Sequence, residues 1–361
     1  MQTHSNNSKP LEKSIYTLAQ SGTKTSSKSD KIVTVTGNGS DLLDEQFLAR
    51  KAKKKFITQA TIIKLVDAAK AEGDLYRVKS YWNTYHCQNR IISSYDKFYG
   101  NYCKNRFCTT CCGNRKADII NKYYPVIKNW KEPYFVTLTI KSPPSTQLRK
   151  YVKGMKTNFN KILARNKKRH QRGKGIKILG IKSLECNFNP IAKTYNPHFH
   201  IIVPNKETAE LLKKEWIKQN RPTKASSYRY KYVSPKGQDI KKIEDLDHQL
   251  IEVIKYGAKI FTTPDVKNKK SGVPPMVYIK ALDIIYSAFK DIRLFDRIGF
   301  NLPNKIQAKP TTKQLSSCDR WEYSPEQKDW ISKATGELLT RFLPTAELEF
   351  LLTEQINSTL Y

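Results

Sequence analysis

Carboxylates are what this 361-residue chain lacks most: 32 Asp and Glu stand against 65 Lys and Arg, leaving a formal charge of +33. So large an excess, spread over most of the chain, suits a polyanionic partner, nucleic acid before any other. Long apolar runs are missing too. None approaches the roughly 20 residues of a membrane span, and the polar stretch from Met1 to Asp30 has no hydrophobic signal-peptide segment. These absences read as a cytoplasmic protein with no membrane partner. No internal repeat occurs, nor a glycine-rich loop ending in Gly-Lys-Ser/Thr, so no ATPase or helicase is expected within the chain. Cysteine is sparse and odd in number: seven occur, four of them from Cys103 to Cys112, which argues against a disulfide framework and for metal ligands plus spare thiols.

What is present points to a folded binder of nucleic acid. Twenty Tyr, 14 Phe and five Trp exceed the needs of a bare polycation and imply a core or stacking surfaces. Residues 1–40, rich in Ser, Thr, Asn and Lys, read as a flexible basic arm. Residues 41–125 read as a helical region ending in the cysteine cluster, with Lys51, Lys53, Lys54 and Lys55 on a solvated or phosphate-facing side. A main α+β domain is expected over 126–300. A linker and a C-terminal helical appendage follow over 301–361, with one or two helices from Glu326 onward.

Cys108 and Cys111 have the two-residue gap of a zinc knuckle, which lets two thiolates reach one tetrahedral ion. Cys87 and Cys103 complete a set of four. His86 and Cys112 also qualify as the fourth ligand, and the competing reading is a group of buried free thiols at a helix start.

Further along, Tyr134-Phe135-Val136-Thr137-Leu138-Thr139-Ile140 alternates as a β-strand does, and Pro143-Pro144 ends it. Helices are expected over 116–130, 146–169, 206–220 and 276–289. A strand over Ile176–Cys186 turns through 187–196 into Pro197-His198-Phe199-His200-Ile201-Ile202-Val203. The period of two sets both imidazoles on one face and Phe199 on the other. If the two strands are adjacent and antiparallel, Glu185 comes near His198 and His200, a three-ligand divalent-metal site with open positions. The plainer alternative leaves Glu185 on the surface and the histidines at a strand edge. Tyr228, Arg229, Tyr230 and Lys231 alternate aromatic and cationic groups that either grip single-stranded DNA or form an outer strand. Glu252 and Tyr256, four apart in an apolar segment, share a face whether that segment is helix or strand.

In order, the Phe135–Thr139 strand, the His198-Phe199-His200 pair and Glu252 with Tyr256 resemble the HUH endonuclease superfamily. The closest resemblance is to the rolling-circle replication initiators of small bacterial plasmids. The preceding cysteine cluster and the Arg293 region look like those of the same group, and the resemblance covers about Tyr81 to Gly299. It implies an HUH-type antiparallel sheet flanked by helices and a DNA endonuclease and strand transferase acting by tyrosine transesterification. On that resemblance Tyr256 is the nucleophile and Glu252 assists termination. Mg²⁺ or Mn²⁺ sits on His198, His200 and Glu185, and Lys255 and Lys259 approach the scissile phosphate. The products are a 5′-phosphotyrosyl link and a free 3′-OH primer. The implied partners are plasmid origin DNA, single-stranded or extruded as a hairpin, and a host helicase and DNA polymerase, with the oligomeric state open. A single-strand DNA transposase would use the same chemistry, and a non-catalytic zinc-containing nucleic-acid-binding protein would use none of it.

Overall fold

Alternating apolar residues build the central layer. The computed structural model describes residues 45–94, 97–220, 233–255, 275–302, 319–346 and 348–349. Its larger sheet has five antiparallel strands: β3 (Tyr134–Thr139), β4 (Gly180–Asn189), β5 (Thr194–Val203), β6 (Asp239–Lys242) and β7 (Phe295–Ile298). The order across the sheet is β6-β3-β5-β4-β7, so the histidine strand β5 lies in the middle. The β4–β5 hairpin is longer than the sequence suggests, with pairing continuing to Asn189↔Thr194. The turn needs only 190–193, because Asn189 Oδ1 accepts the backbone N–H groups of Ile191 and Ala192.

Helices cover both faces, and strand parity decides which residues meet which helices. On one face Val136, Leu138, Leu184, Phe199, Ile201 and Val203 pack under α4 (Leu148–Gln171) and α5 (Lys206–Gln219). Phe199 lies 5.1 Å from the Phe159 ring and 5.8 Å from Trp216. Burial of each such side chain contributes about 1.5–3 kcal/mol. Asn205 caps α5 by accepting from Thr208 N, and Trp216 Nε1 donates to Thr139 O, pinning helix to sheet. On the other face Phe135, Ile181 and Ile202 pack under α3 (Thr109–Ile127) and α6 (Leu246–Lys255), through Ile120, Tyr123, Ile127, Leu250 and Val253. The boundary expected at residue 125 therefore falls inside a helix that belongs to the sheet's core.

A second sheet, ordered β2-β1-β8-β9, joins distant parts of the chain. Its strands are β1 (Arg90–Ser94), β2 (Lys97–Gly100), β8 (Asp319–Ser324) and β9 (Asp329–Ser332). Strand β9 corrects the expectation of helices from Glu326: Trp330 and its cross-strand partner Tyr323 on β8 pack inward with Ile91 and Phe98. Of the C-terminal part, residues 346, 348 and 349 are helical among those described.

Helix α1 (Glu45–Ala71) is continuous, and Lys51 and Lys55 on it are buried rather than solvated. Lys51 Nζ lies 5.2 Å from the Phe98 ring and 5.6 Å from Trp330, so its charge rests on aromatic faces. Helix α2 (Leu75–Tyr85) ties α1 to α7 (Pro275–Ala288). Its Arg77 is ion-paired with Asp283, and Tyr81 Oη donates to Asp283 Oδ1 at 2.5 Å. Among the described residues no helix is long and apolar enough to cross a membrane.

Candidate metal centres

Two clusters of ligating side chains stand out. The first forms where α2, the strand β2 exit and the start of α3 converge. The sulfurs of Cys87, Cys103, Cys108 and Cys111 all lie within 4.8 Å of one another. Cys87 Sγ is 3.6 Å and Cys103 Sγ 3.7 Å from Cys111 Sγ, close to the ~3.8 Å edge of a tetrahedron with 2.3 Å metal–sulfur bonds. Backbone N–H groups of Cys103, Asn105 and Cys111 donate to Cys87, Cys103 and Cys108 sulfurs, each at 3.4 Å. Cys108 is also the N-cap of α3, where the helix dipole favours a thiolate. The donor set fits a soft tetrahedral ion.

The other two sequence candidates turn away. Cys112 donates its S–H to Arg106 O at 2.9 Å, and His86 stacks on Trp82 with its Nδ1 near Asn89 Nδ2. Hydrogen bonds from Cys108, Cys111 and Cys87 hold the Cys103 thiol well below its ordinary range, while the hydrogen bond with Cys103 pushes Cys87 up. Lys55, expected from the sequence on a solvated side, lies beside the cluster and donates to Tyr85 O, Cys87 O and Asn89 Oδ1 at 2.6–2.7 Å. Burial lowers its pKa to about 8 although the nearby thiols pull it upward.

The second cluster stands on the central strands. Register pairs Glu185 with His198, and His200 with Ser183 and Thr137, and all of these share the parity of Ile202. They therefore lie on the sheet face that carries α6 and α3, opposite Phe199. His198 Nε2 and His200 Nε2 each lie 3.0 Å from Glu185 Oε2, and all three residues are buried. His198 Nδ1 is 2.8 Å from Asn196 O, a contact that fixes the ring with Nε2 turned toward Glu185. His200 Nδ1 lies 3.3 Å from Thr137 Oγ1, a contact that orients the second ring.

Burial opposes ionisation of Glu185, yet hydrogen bonds and charge from the two histidines outweigh it and hold the carboxyl below its ordinary range. An anionic oxygen converging with imidazole nitrogens is the donor set of a divalent cation with positions left for substrate oxygens. Ser183 Oγ, buried on the same face, has no hydrogen-bond partner among the described residues.

Glu252 and Lys255 stand on α6, whose Leu250 and Val253 pack on Ile181 and Ile202, one strand period from Ser183 and His200. Tyr256, Lys259, Tyr228, Arg229, Tyr230 and Lys231 lie outside the described residues. Thr137 and Lys55 are the neighbours that the sequence does not reveal. Alternation marks the inward positions of β3, but only cross-strand register shows that Thr137 faces His200.

These features define an α+β protein with a closed four-sulfur cluster and an open two-histidine, one-carboxylate cluster on a central antiparallel sheet. The family model described as replication protein, Rep_1, matches residues 97–283, more than half of the chain, and the chain belongs to that family. It is 30% identical over 137 residues to Protein rep of Staphylococcus aureus, covering 36% of this chain and 57% of that protein. It is 27% identical over 128 residues to Protein rep of Bacillus amyloliquefaciens, covering 34% and 35%. A third relative, Protein rep of Streptococcus pneumoniae serotype 2, is 24% identical over 157 residues, covering 40% and 47%. The chain thus spans between about a third and three-fifths of the length of these relatives. No solved structure matches.

Proposed function

We propose that the chain is a plasmid rolling-circle replication initiator that nicks one strand of its origin by tyrosine transesterification. The observation that carries the reading is the Glu185–His198–His200 cluster, which faces the same side of the sheet as the helix bearing Glu252 and leading to Tyr256. Membership in the replication protein family supports the biological role.

In this reading His198, His200 and Glu185 would hold Mg²⁺ or Mn²⁺, which supplies charge neutralisation on the non-bridging oxygens of the scissile phosphate. The Tyr256 oxygen attacks phosphorus after losing its proton. The P–O3′ bond breaks, and the departing oxygen takes up a proton to become the 3′-OH. Phosphorus remains bound to Tyr256 as a 5′-phosphotyrosyl ester, and a host DNA polymerase extends the 3′-OH behind a host helicase. Glu252 acts at termination, taking a proton from water so that the last transfer releases the protein. Lys255 and Lys259 contact the scissile phosphate, and Tyr228, Arg229, Tyr230 and Lys231 grip the single strand. Cys87, Cys103, Cys108 and Cys111 would hold a structural Zn²⁺, which would supply a link between the end of α2 and the start of α3.

The test is labelled single-stranded DNA from the protein's own replicon, incubated with Mn²⁺ with and without EDTA, beside a Tyr256→Phe variant. The expected result is a covalent protein–DNA band that requires the metal and disappears in the variant. Cleavage surviving unchanged in the variant would remove Tyr256 from its role.

A further inference from the structure

A basic stripe runs along α4 on the side of the sheet away from the Glu185 cluster. Lys161, Arg165, Lys168, Arg169 and Arg172, with Ala164, line a shallow groove of about 420 Å³. Lys161, Arg165, Lys168 and Arg172 follow one another at three or four residues, with Arg169 four beyond Arg165, so they form one ridge, about 16 Å long at 1.5 Å per residue. Two of the five are held in place: Glu215 of α5, buried, is ion-paired with both Arg165 and Arg169, the latter at 3.1 Å. Arg165 also donates to Gln219 Oε1 at 3.1 Å. Lys161, Lys168 and Arg172 are exposed and make no side-chain hydrogen bond or ion pair among the described residues.

A merely solvated helix face balances its signs, since oppositely charged i,i+4 pairs support a helix and like pairs weaken it. Here no Asp or Glu occurs between Glu132 and Glu185, an interval that carries fourteen Lys or Arg. The pairs Lys161/Arg165, Arg165/Arg169 and Lys168/Arg172 are all like-charged at i,i+4. Complementarity to the helix dipole accounts for cations in the last turn, but not for Lys161 further up. A repulsive, partly pre-positioned cationic ridge gains its stability when a polyanion lies on it.

We propose that this ridge is a docking site for the phosphate backbone of double-stranded DNA, separate from the site that handles the scissile strand. The inference rests on the DNA-nicking reading above. Parity separates the two sites: His198 and His200 face α6, whereas α4 lies over Phe199 and Ile201. With a helix about 10 Å across on the far face, the ridge lies roughly 15 Å beyond the sheet. A single strand threaded at the Glu185 cluster does not reach it without passing round the sheet edge. The duplex flanking the nick, with one phosphate charge for about every 1.7 Å of its axis, presents the dense row of charge that such a ridge complements.

The test uses the full chain carrying Lys161→Gln, Lys168→Gln and Arg172→Gln together, which spares the Arg165–Glu215–Arg169 contacts. Two probes are compared: a labelled duplex fragment from the protein's own replicon, and a short single-stranded oligonucleotide with Mn²⁺. Duplex affinity is expected to fall at least about tenfold near 0.1 M salt. The slope of log affinity against log salt should fall by about 2–3, near 0.9 for each phosphate that the variant no longer neutralises. Cleavage of the short oligonucleotide and thermal unfolding should stay unchanged. Unaltered duplex affinity and slope would overturn the proposal. So would loss of binding to vesicles containing phosphatidylserine with duplex binding intact, which would assign the ridge to a lipid surface. If wild-type protein binds the duplex through the ridge but never cleaves the oligonucleotide, the nicking reading fails while the docking site stands.

Discussion

The four-sulfur cluster and the Glu185–His198–His200 cluster solve opposite problems with similar means. Both gather ligand atoms within 4.8 Å, and each contains one group whose proton is held off, Cys103 in one and Glu185 in the other. In the first, soft sulfurs sit at tetrahedral spacing around a point already enclosed by protein, which leaves no position for a substrate. In the second, three ligands stand side by side on adjacent strands of one rigid sheet, on the face that carries α6, and three ligands leave a divalent cation with unfilled positions. A closed shell suits an ion that stabilises and an open one an ion that reacts. The difference follows from backbone: the cysteines come from a helix end, a loop and a helix start, whereas one strand ladder carries the two histidines and the carboxylate.

The largest effect should come from breaking the closed cluster. Cys111→Ala removes one corner of the tetrahedron, and because the ion's binding free energy is folding free energy, stability should fall by several kcal/mol. Chemical unfolding with metal quantified by mass spectrometry checks this: the variant should carry one fewer thiophilic ion and unfold at lower denaturant. His200→Ala should reverse the pattern. Cleavage of single-stranded DNA in Mn²⁺ should fall by about 100- to 1000-fold, with little change in the midpoint of unfolding. Equal stability losses in both variants would erase the distinction between a stabilising and a reactive centre.

A smaller effect sharpens the same contrast at the edge of the sulfur cluster. Lys55→Met deletes the donor to Tyr85 O, Cys87 O and Asn89 Oδ1, leaving three acceptors to find other partners, and should cost about 2–3 kcal/mol. Oligonucleotide cleavage at a temperature where the variant remains folded should be unaffected. A Lys55→Met protein as stable as wild type would mean that the buried ammonium is not what positions the cysteine-bearing loop.

The two clusters are unequally legible in the sequence. Alternation around His198 and His200 fixes their shared face, and a short polar turn makes the β4–β5 hairpin and Glu185 readable, because strand parity and hairpin pairing are local rules. The Cys108–Cys111 gap is equally plain, but choosing Cys87 over His86 requires knowing that α2 ends by turning His86 onto Trp82. The C-terminal strands escape a sequence reading for a similar reason. Beyond its short hairpin with β9, β8 pairs with β1, more than 200 residues earlier, and no local pattern encodes that pairing. Burial of Lys51 and Lys55 is hidden too, since charge predicts exposure until an aromatic sheet and three carbonyl-type acceptors are known to face them.

The smallest predicted effect isolates the electrostatics of the open cluster. In chelator-treated protein Glu185 has a depressed pKa because the two imidazoles favour its charged form more than burial disfavours it. A carboxyl whose folded pKa lies below its unfolded value, near 4.5, binds fewer protons when folded. Its contribution to stability is therefore complete above the unfolded value and is lost as the pH falls through the folded one. Glu185→Gln removes that titration. The stability of wild type minus variant, measured by urea unfolding between pH 7 and pH 3, should hold level at first and then shrink as acid is added. A difference that stays level throughout would mean that the imidazoles do not favour the Glu185 carboxylate. The open cluster would then be assembled by the strand ladder alone, with no electrostatic attraction among its members until an ion arrives.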